Sequence, residues 1–204
     1  MTEPARENRT PFDWEARFQR DDAPWERKGP HPAVAHFRQA GVLTAGASIY
    51  VPGCGRGAEP VALAKLGLRV TASDVAPSAV KFQRDQITAA GVNATVIEAD
   101  GLDWRPPFPF DLVWEQTFLC AIHPHDRARY EAMAFEALKP GGGLIALFMQ
   151  KEERGGPPYG CSLEAMQALF TTERWDWPDD DAFTPFPHPA LGGKVELGGV
   201  LRRR

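Results

Sequence analysis

The chain is most tightly constrained by Ser48-Ile49-Tyr50-Val51-Pro52-Gly53-Cys54-Gly55-Arg56-Gly57, a short apolar run that breaks into three alternating glycines. An apolar run of that length, bounded by a turn, reads as a buried strand. The glycines permit a sharp turn and let a ligand lie against main chain where a Cβ would collide. Residues Ala58 to Gly67 then read as a helix, with Pro60 in its first turn and Gly67 as its stop. A second strand, Arg69 to Asp74, delivers a carboxylate about twenty residues after the first glycine, where nucleotide folds receive a ribose diol. The combination predicts a nucleoside cofactor.

Charge distinguishes between nucleosides. A dinucleotide site places its pyrophosphate on the helix N-terminus, which favours anions. Glu59 occupies that first turn here and would repel a phosphate, but it suits a cofactor carrying an ammonium and a sulfonium. The spacing is also G-x-G-x-G and not the dinucleotide G-x-G-x-x-G. S-adenosylmethionine is therefore favoured over NAD, with an NAD-linked oxidoreductase as the alternative.

Further along, Pro32 to Ala40 and Pro77 to Ala90 read as helices, and Ala94 to Asp100 as a third strand. Asp100, followed by Gly101 and Leu102, could accept from an adenine amine while Leu102 packs on the ring. Phe110 to Trp114 reads as strand four, Asp126 to Leu138 as a helix stopped by Pro140-Gly141-Gly142-Gly143, and Leu144 to Met149 as strand five. Strands alternating with helices predict an α/β, doubly wound, mostly parallel sheet. Glu173 to Trp177 and Lys194 to Arg202 read as two closing strands, which makes seven. The acidic, proline-rich stretch Asp179 to Pro189 between them reads as an irregular loop.

At 204 residues the chain is expected to be one domain, with a helical lid segment over 1–40 and a core over 46–204. Residues 1–10 are polar. Trp14 and Phe18, four apart, share a helix face, whereas Trp25 lies in a proline-rich loop and reads either as a lid or as packing. A formal charge of −4 argues against a broad grip on nucleic acid. No apolar stretch approaches the roughly 20 residues of a membrane span, and Met1 to Arg9 is too polar for a signal peptide, so cytoplasm is the expected compartment. Cys54, Cys120 and Cys161 show no C-x-x-C spacing, and His123-Pro124-His125 lacks further ligands, so no metal is expected. Amino-methylating enzymes on DNA place Asn/Asp-Pro-Pro-aromatic after strand four; this chain has Trp114-Glu115-Gln116-Thr117 there.

The chain resembles class I S-adenosylmethionine-dependent methyltransferases, and more narrowly the thiopurine S-methyltransferase family on the side of its halide and thiol methyltransferases. The resemblance rests on Trp14-Glu15, Ala23-Pro24-Trp25-Glu26, the glycine motif, Phe110-Asp111-Leu112-Val113, Phe118-Leu119-Cys120-Ala121-Ile122, Leu138-Lys139-Pro140-Gly141-Gly142 and Gly155-Gly156-Pro157-Pro158-Tyr159. It implies Trp25 over the cofactor, Gly53 and Gly55 along its methionine moiety, Asp74 on the ribose and Asp100 near adenine. It also implies Phe118, Leu119 and Tyr159 around a small acceptor. Glu115-Gln116 stands where the family often carries an acid-arginine pair. A soft thiolate needs alignment more than activation, so no catalytic side chain is assigned, and a monomer acting on a small molecule is expected, with a methyltransferase-fold protein that binds cofactor and acts on another small molecule as a further alternative.

Overall fold

The computed structural model describes residues 12–189 and 192–204, and the polar leader of residues 1–10 lies outside them. Five strands follow one another, with helices between all but β3 and β4: β1 (Ser48–Pro52), β2 (Arg69–Asp74), β3 (Ala94–Glu98), β4 (Phe110–Gln116) and β5 (Leu138–Met149). The helices are α1 (Trp14–Gln19), α2 (Pro32–Gln39), α3 (Glu59–Lys65), α4 (Pro77–Ala90), α5 (Arg127–Ala137) and α6 (Leu163–Leu169). Three short or late strands close the chain: β6 (Trp175–Asp176), β7 (Thr184–Pro187) and β8 (Val195–Arg203).

The sheet order is β3-β2-β1-β4-β5-β8-β6, with β7 also on β8. The pairs from β3 through β5 are parallel, and β8 runs antiparallel to β5, β6 and β7. Strand order reverses between β1 and β4, so the crevice beyond their carboxyl ends is where a ligand of such a sheet sits. β1 is buried along four of its five residues because helices cover both faces. On one face Tyr50 and Val113 pack with Tyr130, Met133, Phe148 and Phe170 beneath α5 and α6. On the other, Ile49, Val51, Leu112 and Trp114 pack against Phe37 and Leu63 of α2 and α3.

Two sequence expectations are corrected. The stretch Asp179 to Pro189 is not an irregular loop throughout: after a 3-10 turn at Asp180–Ala182 it forms β7, paired with β8 from Thr184↔Gly198 to Pro187↔Val195. Prolines at 185 and 187 masked the strand, yet β7 is an edge strand, where proline is tolerated. The sheet thus has eight strands, one more than expected. Pro140 to Gly143 does not merely stop α5 but lies within β5, where the pairing with β4 shifts register between Phe110 and Leu112.

Candidate functional site

The loop after β1 is held in place from three sides. Gly53 (φ +58°) and Gly55 (φ +49°) take the left-handed conformation that side chains other than glycine resist. Cys54 N–H donates to the Ser73 carbonyl at 2.9 Å, which ties the loop to the end of β2. Asp74 accepts from Gly55 N–H at 2.8 Å through Oδ2 and from Ala76 N–H at 2.9 Å through Oδ1. From α4, the fully buried Gln83 amide donates to the carbonyls of Gly55 (2.9 Å) and Gly57 (2.7 Å). The periodicity of α4 reads Gln83 as one more position on its inner face; its work as a strut for the loop shows only in three dimensions.

Burial raises the pKa of Asp74, opposed by the amides of Ala76 and Gly55. Each of its oxygens accepts one amide and keeps a further lone pair. Val75, directly after it, is 53% exposed, an apolar surface at the carboxyl end of β2 that the sequence reading passed over. Beyond β3, Asp100 is exposed and accepts the Leu102 N–H at 2.8 Å in its own turn. Leu102 itself is 7% exposed and belongs to the core around Tyr50 and Phe110. Glu59 is oriented differently from the expectation: its Oε1 accepts the His31 N–H at 2.9 Å, and the side chain is buried. That carboxylate joins α3 to the start of α2, and its effect on a phosphate would be felt from beneath the loop.

Phe118 dominates the other side of the crevice. A Cβ built on Gly53 would lie 2.0 Å from Phe118 Cδ2, and one on Gly101 would lie 3.1 Å from Cζ, so the ring rests directly on both glycines. Its other neighbour is Tyr130, with ring centroids 5.3 Å apart. Thr117, just before it, has φ +58°, a strained conformation for a β-branched residue and one often found at functional sites. Leu119 is buried, and its N–H donates to Glu115 Oε1 at 3.0 Å. Tyr159 arrives from beyond β5: its N–H donates to the Cys120 carbonyl at 2.7 Å, and its ring packs edge-on to His123. Arg127, a buried residue of α5, locks the two segments together. It donates to the Leu119 carbonyl at 3.2 Å, the Gly160 carbonyl at 3.0 Å and Cys161 Sγ at 3.2 Å. The segments bearing Phe118 and Tyr159 are therefore held next to one another, while Leu119 itself is buried in the core.

The N-terminal segment reaches this crevice through α1. Phe18 Cζ would touch a Cβ on Gly55 at 3.2 Å, so Phe18, and not Trp25, lies on the glycine loop. Trp25 packs edge-on to Trp14 (5.6 Å) and Phe18 (6.1 Å), with the Arg17 guanidinium over its ring at 4.6 Å. Arg56 of the loop pairs with Glu26 and Asp21, and Glu15 Oε2 accepts from Ser78 at the start of α4. Among the described residues no group of His, Cys, Asp and Glu could hold a metal, and no helix is long and apolar enough to cross a membrane.

These parts suit an adenosyl cofactor: left-handed glycines in the loop after β1, a carboxylate with lone pairs left for a diol, the exposed face of Val75 and the exposed acid Asp100. The sequence model of the thiopurine S-methyltransferase family matches residues 9–185. The chain belongs to that family. It is an S-adenosylmethionine-dependent methyltransferase, and nothing in the comparisons favours an oxidoreductase. A probable thiol methyltransferase 2 of Arabidopsis thaliana is 35% identical over 160 residues, 76% of this chain and 70% of that protein. Thiocyanate methyltransferase 1 of the same plant is 32% identical over 91% of this chain and 82% of its own length. The fold is shared with a Burkholderia thailandensis 1,6-didemethyltoxoflavin-N1-methyltransferase solved with S-adenosylhomocysteine, at TM-score 0.68 and 18% identity, covering 91% of this chain and 80% of that one.

Proposed function

We propose that this methyltransferase moves the methyl group to a small, soft nucleophile, above all a thiol. The observation that carries the reading is the acceptor wall, where the Phe118 ring lies on Gly53 of the glycine loop and the segment bearing Tyr159 is tied to the segment bearing Phe118 by a main-chain bond and by Arg127. Such a wall is apolar and shaped, which suits a polarisable sulfur better than a strongly hydrated oxygen or amine. When bound, the cofactor supplies a methyl group on a sulfonium, so the protein's task is alignment and exclusion of water. Gly53 and Gly55 give main chain for its amino-acid end, Asp74 accepts from the ribose, and Asp100 with Gly101 and Leu102 closes on the adenine. The packing of Phe18, Trp14 and Trp25 over the loop supports a covering role for residues 12–40, with Trp25 as the outer and Phe18 as the inner ring.

The cysteines have no part in this chemistry. Burial pushes Cys54 and Cys120 well above the usual thiol range and Cys161 up to about 12, so none is a ready nucleophile. Transfer is therefore direct. Incubating the protein with methyl-labelled cofactor and a panel of thiols, hydrosulfide, thiocyanate, iodide, amines and phenols is the test. Label is expected in the sulfur acceptors first; preferential methylation of amines or phenols would sink the reading.

A further inference from the structure

Beneath the acceptor wall lies a carboxylate that neither the cofactor nor the fold accounts for fully. Glu115, the last residue but one of β4, lies inside the protein, 1% exposed. Its Oε1 accepts the Leu119 N–H, while its buried Oε2 and the hydroxyl of Tyr130, which faces it from α5, have at most each other and make no hydrogen bond of ordinary geometry. A buried carboxylate left with one well-formed hydrogen bond is costly, and native proteins keep such groups mainly where they serve chemistry. The obvious counter-ion is engaged elsewhere: Arg127 directs its donors to the carbonyls of Leu119 and Gly160 and to Cys161 Sγ. The Phe118 ring lies on Tyr130 at one end and on Gly53 at the other, so a single ring separates this pair from the crevice.

We propose that Glu115, with Tyr130 beside it, takes the proton of a neutral thiol acceptor once Phe118 swings aside, so that the enzyme is not limited to ready-made anions. The inference rests on the thiol reading above. In the step, the S–H bond breaks with its electron pair staying on sulfur, and the proton goes to Glu115 Oε2. The thiolate then takes the methyl group that the established activity supplies, and Glu115 releases its proton to solvent when the thioether leaves.

The surroundings suit the task. Glu115 faces Tyr130 and Arg127 from α5, Cys120 from the following loop and Cys161 from beyond β5. Burial pushes its carboxyl up to about 7, against the opposing amides of Leu119 and Phe118, Tyr130 and the Arg127 charge. A thiol ionises near 8.5, so the gap to this base is about 1.5 pH units, where an ordinary glutamate would leave about four.

The test compares 2-mercaptoethanol, which has a proton to give up, with thiocyanate, which has none. Glu115→Gln should lower the thiol-to-thiocyanate ratio of kcat/KM about a hundredfold at pH 7. The inflection of the thiol profile should move from near 7 to the thiol's own value. Without any acceptor present, S-adenosylhomocysteine titration should show that the variant still binds cofactor. Urea midpoints should show the wild type losing stability relative to it as pH rises from about 4.5 through 7, because the native carboxyl holds its proton longer than the unfolded one. Equal losses on both acceptors, an unmoved inflection or parallel stability profiles would each overturn the proposal. A wild type that methylates neither acceptor would instead overturn the thiol reading, and this inference with it.

Discussion

At the scale of single residues, the structure changes what a test of Asp74 means. Its carboxylate holds the Gly55 and Ala76 amides as well as carrying the proposed ribose contact, so alanine would loosen the loop and remove that proposed contact together. Asp74→Asn separates the two effects, since an amide oxygen can keep one main-chain bond while the charge is lost. Asparagine keeps the size and shape of the side chain, so the fold should tolerate the change. Losing a charged hydrogen bond to a diol should cost about 1.5 to 3 kcal/mol, roughly a tenfold to hundredfold rise in the Kd for S-adenosylhomocysteine. Calorimetric titration reads this directly, and wild-type affinity in the folded variant would remove Asp74 from the site. The sequence made Asp74 legible because spacing from a glycine loop is a one-dimensional signal. Phe18, Gln83, Val75 and Arg127 were not legible, since each meets the crevice through a packing contact or a strut that no spacing encodes.

At the scale of elements, Arg127 shows how α5 organises two loops it does not belong to. A planar guanidinium can donate in two directions at once, and here it bridges the carbonyl of Leu119 to that of Gly160. Lysine keeps the charge but not the fork. Arg127→Lys is therefore expected to raise the KM for the acceptor about tenfold, roughly 1.4 kcal/mol, and to leave the cofactor Kd within twofold. Steady-state kinetics with cofactor titration settles it: an unchanged acceptor KM, or a matching loss of cofactor affinity, contradicts a clamp specific to that wall. Elements with strong periodicity, such as α4 and the apolar β1, β4 and β5, were readable from the chain. β7 was not, because its prolines read as loop signals until β8 is there to accept an edge strand, and the bulged start of β5 was hidden by glycines that equally mark a helix stop.

At the scale of the whole molecule, the first and last parts of the chain meet behind the crevice. Glu196 of β8 is buried and accepts from Arg27 at 2.5 Å and from His31 Nε2 at 3.1 Å, while His188 donates to the Trp25 carbonyl at 3.1 Å. The segment that carries Trp14, Phe18 and Trp25 is thus fastened to the C-terminal edge of the sheet as well as to the glycine loop. Sequence reading could not pair residues 169 positions apart, and neither partner stands in a motif. The energetics of the fastening are asymmetric. Removing Glu196 strands a buried guanidinium, a loss of about 3 to 5 kcal/mol, whereas removing Arg27 leaves Glu196 with His31 as partner. Urea unfolding of Glu196→Leu, Arg27→Met and the double variant should therefore show Glu196→Leu as the least stable of the three, with the double variant recovering at least about 1 kcal/mol of its loss. Additive losses would mean that Arg27 and Glu196 are neighbours without being coupled, and that the segment bearing Trp25 is held by its other contacts.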